Sequence, residues 1–131
     1  MSTTRDPAIR VTAMPADANA YGDIFGGWLM SLMDSAAGLT ASRRVKGRAV
    51  TVAMDGMQFH HPVSVGDEVS VYTDIERIGR TSMTIAVEAW RRHRHEEEAV
   101  KVTQATFTFV AVDEANRPRA IEPGAIEQQE Q

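Results

Sequence analysis

The chain has 131 residues, no cysteine, and 18 acidic against 14 basic side chains, a formal charge of −4. That length suits one domain with one core, and the lack of cysteine excludes a disulfide framework, a thiolate nucleophile and thiolate metal sites. The acid excess argues against nucleic acid as a partner, which calls for a basic face, and the most apolar run, Trp28 to Met33, is far short of the roughly 20 residues that cross a bilayer.

No charged-then-apolar leader opens the sequence, so no membrane partner is expected and the cytoplasm is the expected compartment. Residues 1–7 and 121–131 are polar and lack periodicity, which marks them as loose termini of a single domain over residues 8–120. A short strand is expected at Ile9 to Met14. The stretch from Gly26 to about Val45 carries the one long helical signal. Leu29, Met33, Ala36, Ala37 and Thr40 follow the i, i+3, i+4, i+7 rhythm, and Trp28, Met30, Leu32 and Leu39 spread apolar character around the cylinder. Such a helix is buried on most sides. Arg43, Arg44 and Lys46 in its last turn suit the negative dipole end, and Gly47 suits a left-handed cap, so the helix should stop near Lys46.

Four strands follow: Arg48 to Phe59, Glu68 to Ile78, Ser82 to Arg92 and Val100 to Val112, rich in Val, Ile, Thr and Phe and often alternating, as Met83, Ile85 and Val87 do. The breaks between them, Pro62 to Asp67, Ile78 to Thr81 and Arg91 to Glu98, are each short enough for antiparallel neighbours to pair directly. The expected fold is therefore α+β, one long central helix wrapped by a curved antiparallel sheet of about five strands.

Candidate chemistry gathers around that helix. Asp34 is its only acid and projects from an otherwise apolar face, where a carboxylate is costly unless something uses or satisfies it. The alternative is a core aspartate held by backbone donors or an arginine. Gly26 and Gly27 stand where the helix begins, where unpaired N–H groups and the positive dipole end could stabilise an oxyanion with no side chain in the way. Glycines kept for a tight turn or close packing would look the same. Asn19, seven residues earlier in a polar loop, could orient a water or hold a carbonyl, or be a turn residue. Two basic clusters, Arg43, Arg44, Lys46 and Arg48, then Arg91, Arg92 and Arg94, read as a solvated helix end and a hairpin loop ahead of phosphate sites. His60-His61 and His93-x-His95 lack a third ligand at a usual spacing, so no metal is expected and the latter pair reads as solvated loop.

The string Asp17-Ala18-Asn19, Gly22-Asp23-Ile24-Phe25-Gly26-Gly27-Trp28, Met30-Ser31 and Met33-Asp34 resembles the hotdog acyl-CoA thioesterases of the bacterial YciA type. The resemblance continues through Gly56-Met57-Gln58-Phe59, Pro62-Val63, Val65-Gly66-Asp67, Gly79-Arg80-Thr81-Ser82, Phe109 to Asp113 and Arg117 to Ala120, and covers about residues 11 to 120. It implies a hotdog fold and hydrolysis of short and medium acyl-CoA thioesters with no metal or cofactor. It also implies a homodimer whose sheets join, commonly three dimers to a particle. It places the family's acid on Asp34, as base or nucleophile, its oxyanion donor on the Gly26 N–H and its amide side chain on Asn19. Coenzyme A is expected near Gly27 and near Arg80, Thr81 and Ser82. Many wider relatives carry histidine where Phe25 stands, which leaves their finer substrate contacts untransferable. Two rivals remain open. A hotdog acyl-thioester dehydratase would need a histidine paired with an acid, and the loop and helix contain no histidine. A non-catalytic acyl-CoA-binding module would share the pocket.

Overall fold

Residues 5–123 are described by the structure, a computed structural model. β1 (Ile9–Thr12) is followed by a single 3-10 turn at Pro15–Asp17 and by α1 (Gly26–Val45). β2 (Ala49–Phe59), β3 (Glu68–Ile78), β4 (Ser82–Arg92) and β5 (Ala99–Ala111) complete the order. They form one five-stranded antiparallel sheet, β1-β3-β4-β5-β2. Each expected strand is present within one residue at either end, except that β1 stops two residues early because Met14 turns into Pro15.

Alternation drives the packing. Met83, Ile85, Val87 and Ala89 of β4 point at the helix, with Val69 and Val71 of β3 and Phe107 and Phe109 of β5 beside them, all buried. The helix answers with Leu29, Met33, Ala36, Ala37 and Ala41. Three alanines along that stripe let the backbone approach the sheet closely, and burying side chains of the size of Phe107 contributes about 2 kcal/mol or more each.

β2, expected to pair with its sequence neighbour β3, lies instead at the far edge against β5, because residues 60–67 cross past the start of α1, where the Val63 carbonyl accepts from Ile24 N–H. Two further expectations need correction. The left-handed residue that ends α1 is Lys46 itself (φ 56°, ψ 45°), not Gly47. Gly47 is small for another reason: a Cβ there would lie 2.6 Å from the Arg119 guanidinium. That guanidinium donates to the Val45 carbonyl at 2.8 Å and thereby caps the helix end from a distant part of the chain. The second correction concerns the termini. Ile121, expected in a loose tail, is buried in the core, and its N–H donates to the Arg80 carbonyl at 2.8 Å. Arg5 is also engaged, pairing with Asp74 and lying 4.7 Å over the Tyr72 ring. Residues 1–4 and 124–131 lie outside the described part.

Candidate active site

The loop before α1 is held by its own backbone. Phe25 N–H donates to the Asp17 carbonyl (3.1 Å), Ile24 N–H to Val63 (2.9 Å) and Asn19 N–H to Asp23 (2.7 Å). Asn19 Oδ1 accepts from the N–H groups of Tyr21 (2.8 Å) and Asp23 (3.1 Å), and Gly22 between them has φ of 86°, open to glycine at little cost. The oxygen of Asn19 is thus spent on the turn, and its Nδ2 hydrogens are the part left for a ligand.

That turn delivers Phe25 as the residue flanking the helix start, with no side-chain cap, so the first amides of α1, at Gly26 and Gly27, have no intrahelical acceptor. Gly26 faces a pocket of about 380 Å³ lined by Ile24, Phe25, Leu29, Phe59, Val63 and Val102 on its apolar sides, with His60, His61 and Pro62 at its rim. A Cβ on Gly26 would come 3.3 Å from Phe59 Cζ, tighter than ordinary contact, whereas one on Gly27 would meet nothing within 4 Å. The two glycines therefore differ: one is pressed by an aromatic ring, the other opens to the surface.

Asp34 lies two turns further along α1, half-buried on the flank facing β2. Thr51 Oγ1 donates to its Oδ1 at 2.6 Å, which leaves Oδ2 without a protein donor among the described residues. Asp34 does not reach the Gly26 pocket. Nor do Arg80, Thr81 and Ser82: they form the β3–β4 hairpin, beside Val110 and the C-terminal end of α1, at the opposite end of the sheet from Phe59 and Gly26. Within one chain the structure brings together neither Asp34 with Gly26 nor either with the hairpin.

Several residues around the candidate site have no role there that the sequence assigns. Thr51 was hidden in a strand where it is one of many β-branched residues; its inward register opposite Phe109 was its one signal. Phe59, His60 and His61 reach the helix start only because β2 runs the length of the sheet. Behind them, Asp67 is almost fully buried and accepts from Ser64 N–H at 2.9 Å, with His93 Nδ1 2.7 Å away. His93, expected in a solvated loop, instead ties the β4 end to the segment that forms the pocket rim. This is the only histidine–carboxylate contact among the described residues. No group of three histidine, aspartate or glutamate side chains suited to hold a metal occurs there. No described helix is long and apolar enough to cross a membrane.

A helix lying in the curve of a five-stranded antiparallel sheet, with a pocket at its N-terminus and a lone acid at its middle, is the hotdog arrangement. A family model of the thioesterase superfamily matches residues 21–98. The acyl-CoA thioester hydrolase YciA of Escherichia coli is 46% identical over 129 residues, covering 92% of this chain and 98% of that protein. An uncharacterised acyl-CoA thioester hydrolase of Zymomonas mobilis, ZMO0511, is 57% identical over 118 residues, 90% of this chain and 79% of its own length. The hexameric thioesterase y2039 of Yersinia pestis superposes with a TM-score of 0.87 at 45% identity, covering 92% of this chain and 98% of that one. An aspartate-to-alanine variant of HI0827, a hexameric broad-specificity acyl-coenzyme A thioesterase, gives 0.88 at 43%, covering 95% and 98%. The chain belongs to the thioesterase superfamily, as a hotdog acyl-CoA thioesterase of the YciA type.

Proposed function

We propose that the chain hydrolyses acyl-CoA thioesters at a site assembled from two protomers, with Asp34 of one and the Gly26 amide of the other acting on the same carbonyl. The observation that carries this is the separation just described: the acid and the amide sit on one helix and do not meet. β2 supplies the means. It is an edge strand of 11 residues with Val50, Val52 and Phe59 exposed, and a long apolar edge is an aggregation hazard unless it is paired. Antiparallel pairing of two β2 edges about a twofold joins the sheets and lays one helix start beside the other helix's middle.

In this site the Gly26 N–H stabilises the negative charge that develops on the thioester oxygen. Asp34 Oδ2 takes a proton from water that adds to the carbonyl carbon, or adds there itself to give an anhydride that water then opens. In both routes the coenzyme leaves as thiolate and a carboxylic acid is released. Thr51 holds the other Asp34 oxygen, and Asn19 Nδ2 orients the reactants. The apolar pocket beyond Gly26 takes the acyl chain, and Gly27 with Arg80, Thr81 and Ser82 contacts coenzyme A. Three dimers to a particle, consistent with the hexameric state of relatives such as HI0827 and y2039, and a cytoplasmic setting complete the proposal. No metal or cofactor takes part, so exhaustive chelation should leave turnover unchanged.

The test is thiol release from a series of acyl-CoA lengths by Asp34→Ala. Activity should fall about a hundredfold or more, the usual scale for loss of a general base, with fold and coenzyme A binding retained. A folded Asp34→Ala protein with near wild-type turnover would remove Asp34 from the chemistry, and wild-type binding without turnover would favour the non-catalytic module.

A further inference from the structure

The basic last turn of α1, expected to be a solvated helix end, is not one uniform surface. Arg43 and Arg44, with Thr40 and Thr73, line a cleft of about 270 Å³ between α1 and β3. It opens on the flank of the helix away from Asp34, whose partner Thr51 belongs to β2 at the other edge of the sheet. The cleft exists because β1 is short. β1 covers β3 only from Glu68 to Val71, so the edge of β3 from Tyr72 onward has no strand beside it, and Thr73 falls just past the end of cover.

Three donors converge there with their bonds incompletely used. Thr40 Oγ1 and Thr73 Oγ1 are 2.6 Å apart, so one hydroxyl gives its proton to the other and the second hydroxyl keeps a proton to give. The Arg44 guanidinium is anchored by donating to the Glu122 carbonyl at 2.6 Å. Its Nε is nevertheless buried and has no partner among the described residues, a condition that native structures rarely leave without an acceptor. Arg43 is the second arginine of the lining.

We propose that this cleft binds a phosphate group. Two guanidiniums and a free hydroxyl proton match a tetrahedral dianion, which offers each an oxygen and is bound by arginine through charge-assisted bonds. The negative end of the helix dipole opposes an anion here, but it amounts to about half a charge against two full ones, and Arg119 already occupies the Val45 carbonyl. Asp74, next to Thr73, belongs to the opposite face of the sheet and is paired with Arg5. The inference does not depend on the reaction proposed above: Asp34→Ala should leave phosphate binding intact.

The experiment is calorimetric titration of the full-length protein with inorganic phosphate and pyrophosphate, with acetate and chloride as controls at matched ionic strength. Wild type should bind the phosphates saturably and the controls not. Arg43→Ala and Arg44→Gln should each weaken binding about tenfold, the scale of a lost charge-assisted bond, and Thr73→Val severalfold. If Arg44→Gln does not fold, Arg43→Ala and Thr73→Val decide the matter. Coenzyme A and its 3′-dephospho form identify the source of the phosphate. If Arg43→Ala abolishes a preference for coenzyme A over the dephospho form, the coenzyme's 3′-phosphate is the occupant. If the preference survives while inorganic phosphate binding is lost, the occupant is free phosphate or another phosphorylated molecule. Phosphate binding no better than chloride in the wild type, or equal to acetate, or unchanged within twofold in Arg43→Ala and Thr73→Val, would overturn the proposal.

Discussion

A shared site makes a quantitative demand on mixed dimers. Gly26 opens α1 and Asp34 is its ninth residue, so eight steps of 1.5 Å put their backbones about 12 Å apart. A thioester carbonyl must touch the oxyanion donor while its carbon lies within about 3.5 Å of the attacking oxygen or its water, so one helix cannot serve both ends. Asn19 is on the loop that leads to Gly26 and sides with the donor. The structure also suggests how to disable it: Asn19 Oδ1 holds two backbone amides, so Asn19→Asp keeps the turn while replacing the Nδ2 hydrogens with a carboxylate oxygen and its negative charge. Homodimers of Asn19→Asp, and of Asp34→Ala, then carry a lesion at every site. A mixed dimer places both lesions in one site and leaves the other intact. Random one-to-one reassembly makes half the dimers mixed, so about a quarter of wild-type sites should return. The two proteins are denatured, mixed and refolded, thiol release is measured, and native mass spectrometry confirms that mixed dimers form. Mixed dimers with activity no higher than the separate variants would refute the shared site.

Gly27→Ala, whose methyl meets nothing within 4 Å, should raise the urea midpoint by about half a kcal/mol in stability through helix propensity while slowing turnover; unchanged turnover would remove Gly27 from the substrate-binding residues. Gly26→Ala, whose methyl would lie 3.3 Å from Phe59, should cost about 1 kcal/mol, and Phe59→Leu in the same chain should relieve that cost without restoring activity. Recovery of both stability and turnover in the double variant would mean that Gly26 is glycine for packing alone. Ile121→Ala should cost about 2–4 kcal/mol in chemical unfolding, as buried isoleucines do; a cost under about 0.5 kcal/mol would return residue 121 to a loose tail.

The parts of the fold that were legible are those set by local periodicity. The alternation of Met83, Ile85 and Val87 fixed both β4 and the face it buries, and α1 was bounded correctly because its apolar rhythm ends in basic residues before Gly47. Asp34 stood out for a physical reason that needs no fold: a lone carboxylate on an apolar helix demands a use. What escaped depends on contacts distant in sequence. Arg119 caps Val45 across 74 residues, so the close approach that restricts Gly47 left no local trace. Ile121 sits in a polar stretch, and its burial follows from where the last segment runs, not from any pattern around it. The adjacent His60 and His61 suggest a metal pair by sequence alone, and only the length of β2 reveals them as lining residues of the pocket.

The proposed dimer also explains features that look like faults in a single chain. β2 leaves Val52 56% and Phe59 48% exposed along an unpaired edge, and Leu39 of α1 is 49% exposed on a helix that has no strongly polar face. Each exposed side chain of this size forgoes about 1 kcal/mol or more of burial, and an apolar edge with free N–H and C=O groups invites aggregation. Asp34, meanwhile, has one oxygen fixed by Thr51 and the other without a donor among the described residues. In the proposed dimer, edge-to-edge pairing of β2 would cover Val52 and Phe59 and set Asp34 against a second helix start in one operation. Phe59 would be central to this economy, because its ring packs at Gly26 and lines the pocket at the helix start while lying on the strand proposed to pair. Assembly and catalysis would then draw on the same residues, and selection for either would preserve the apolar edge that a monomer would be expected to lose.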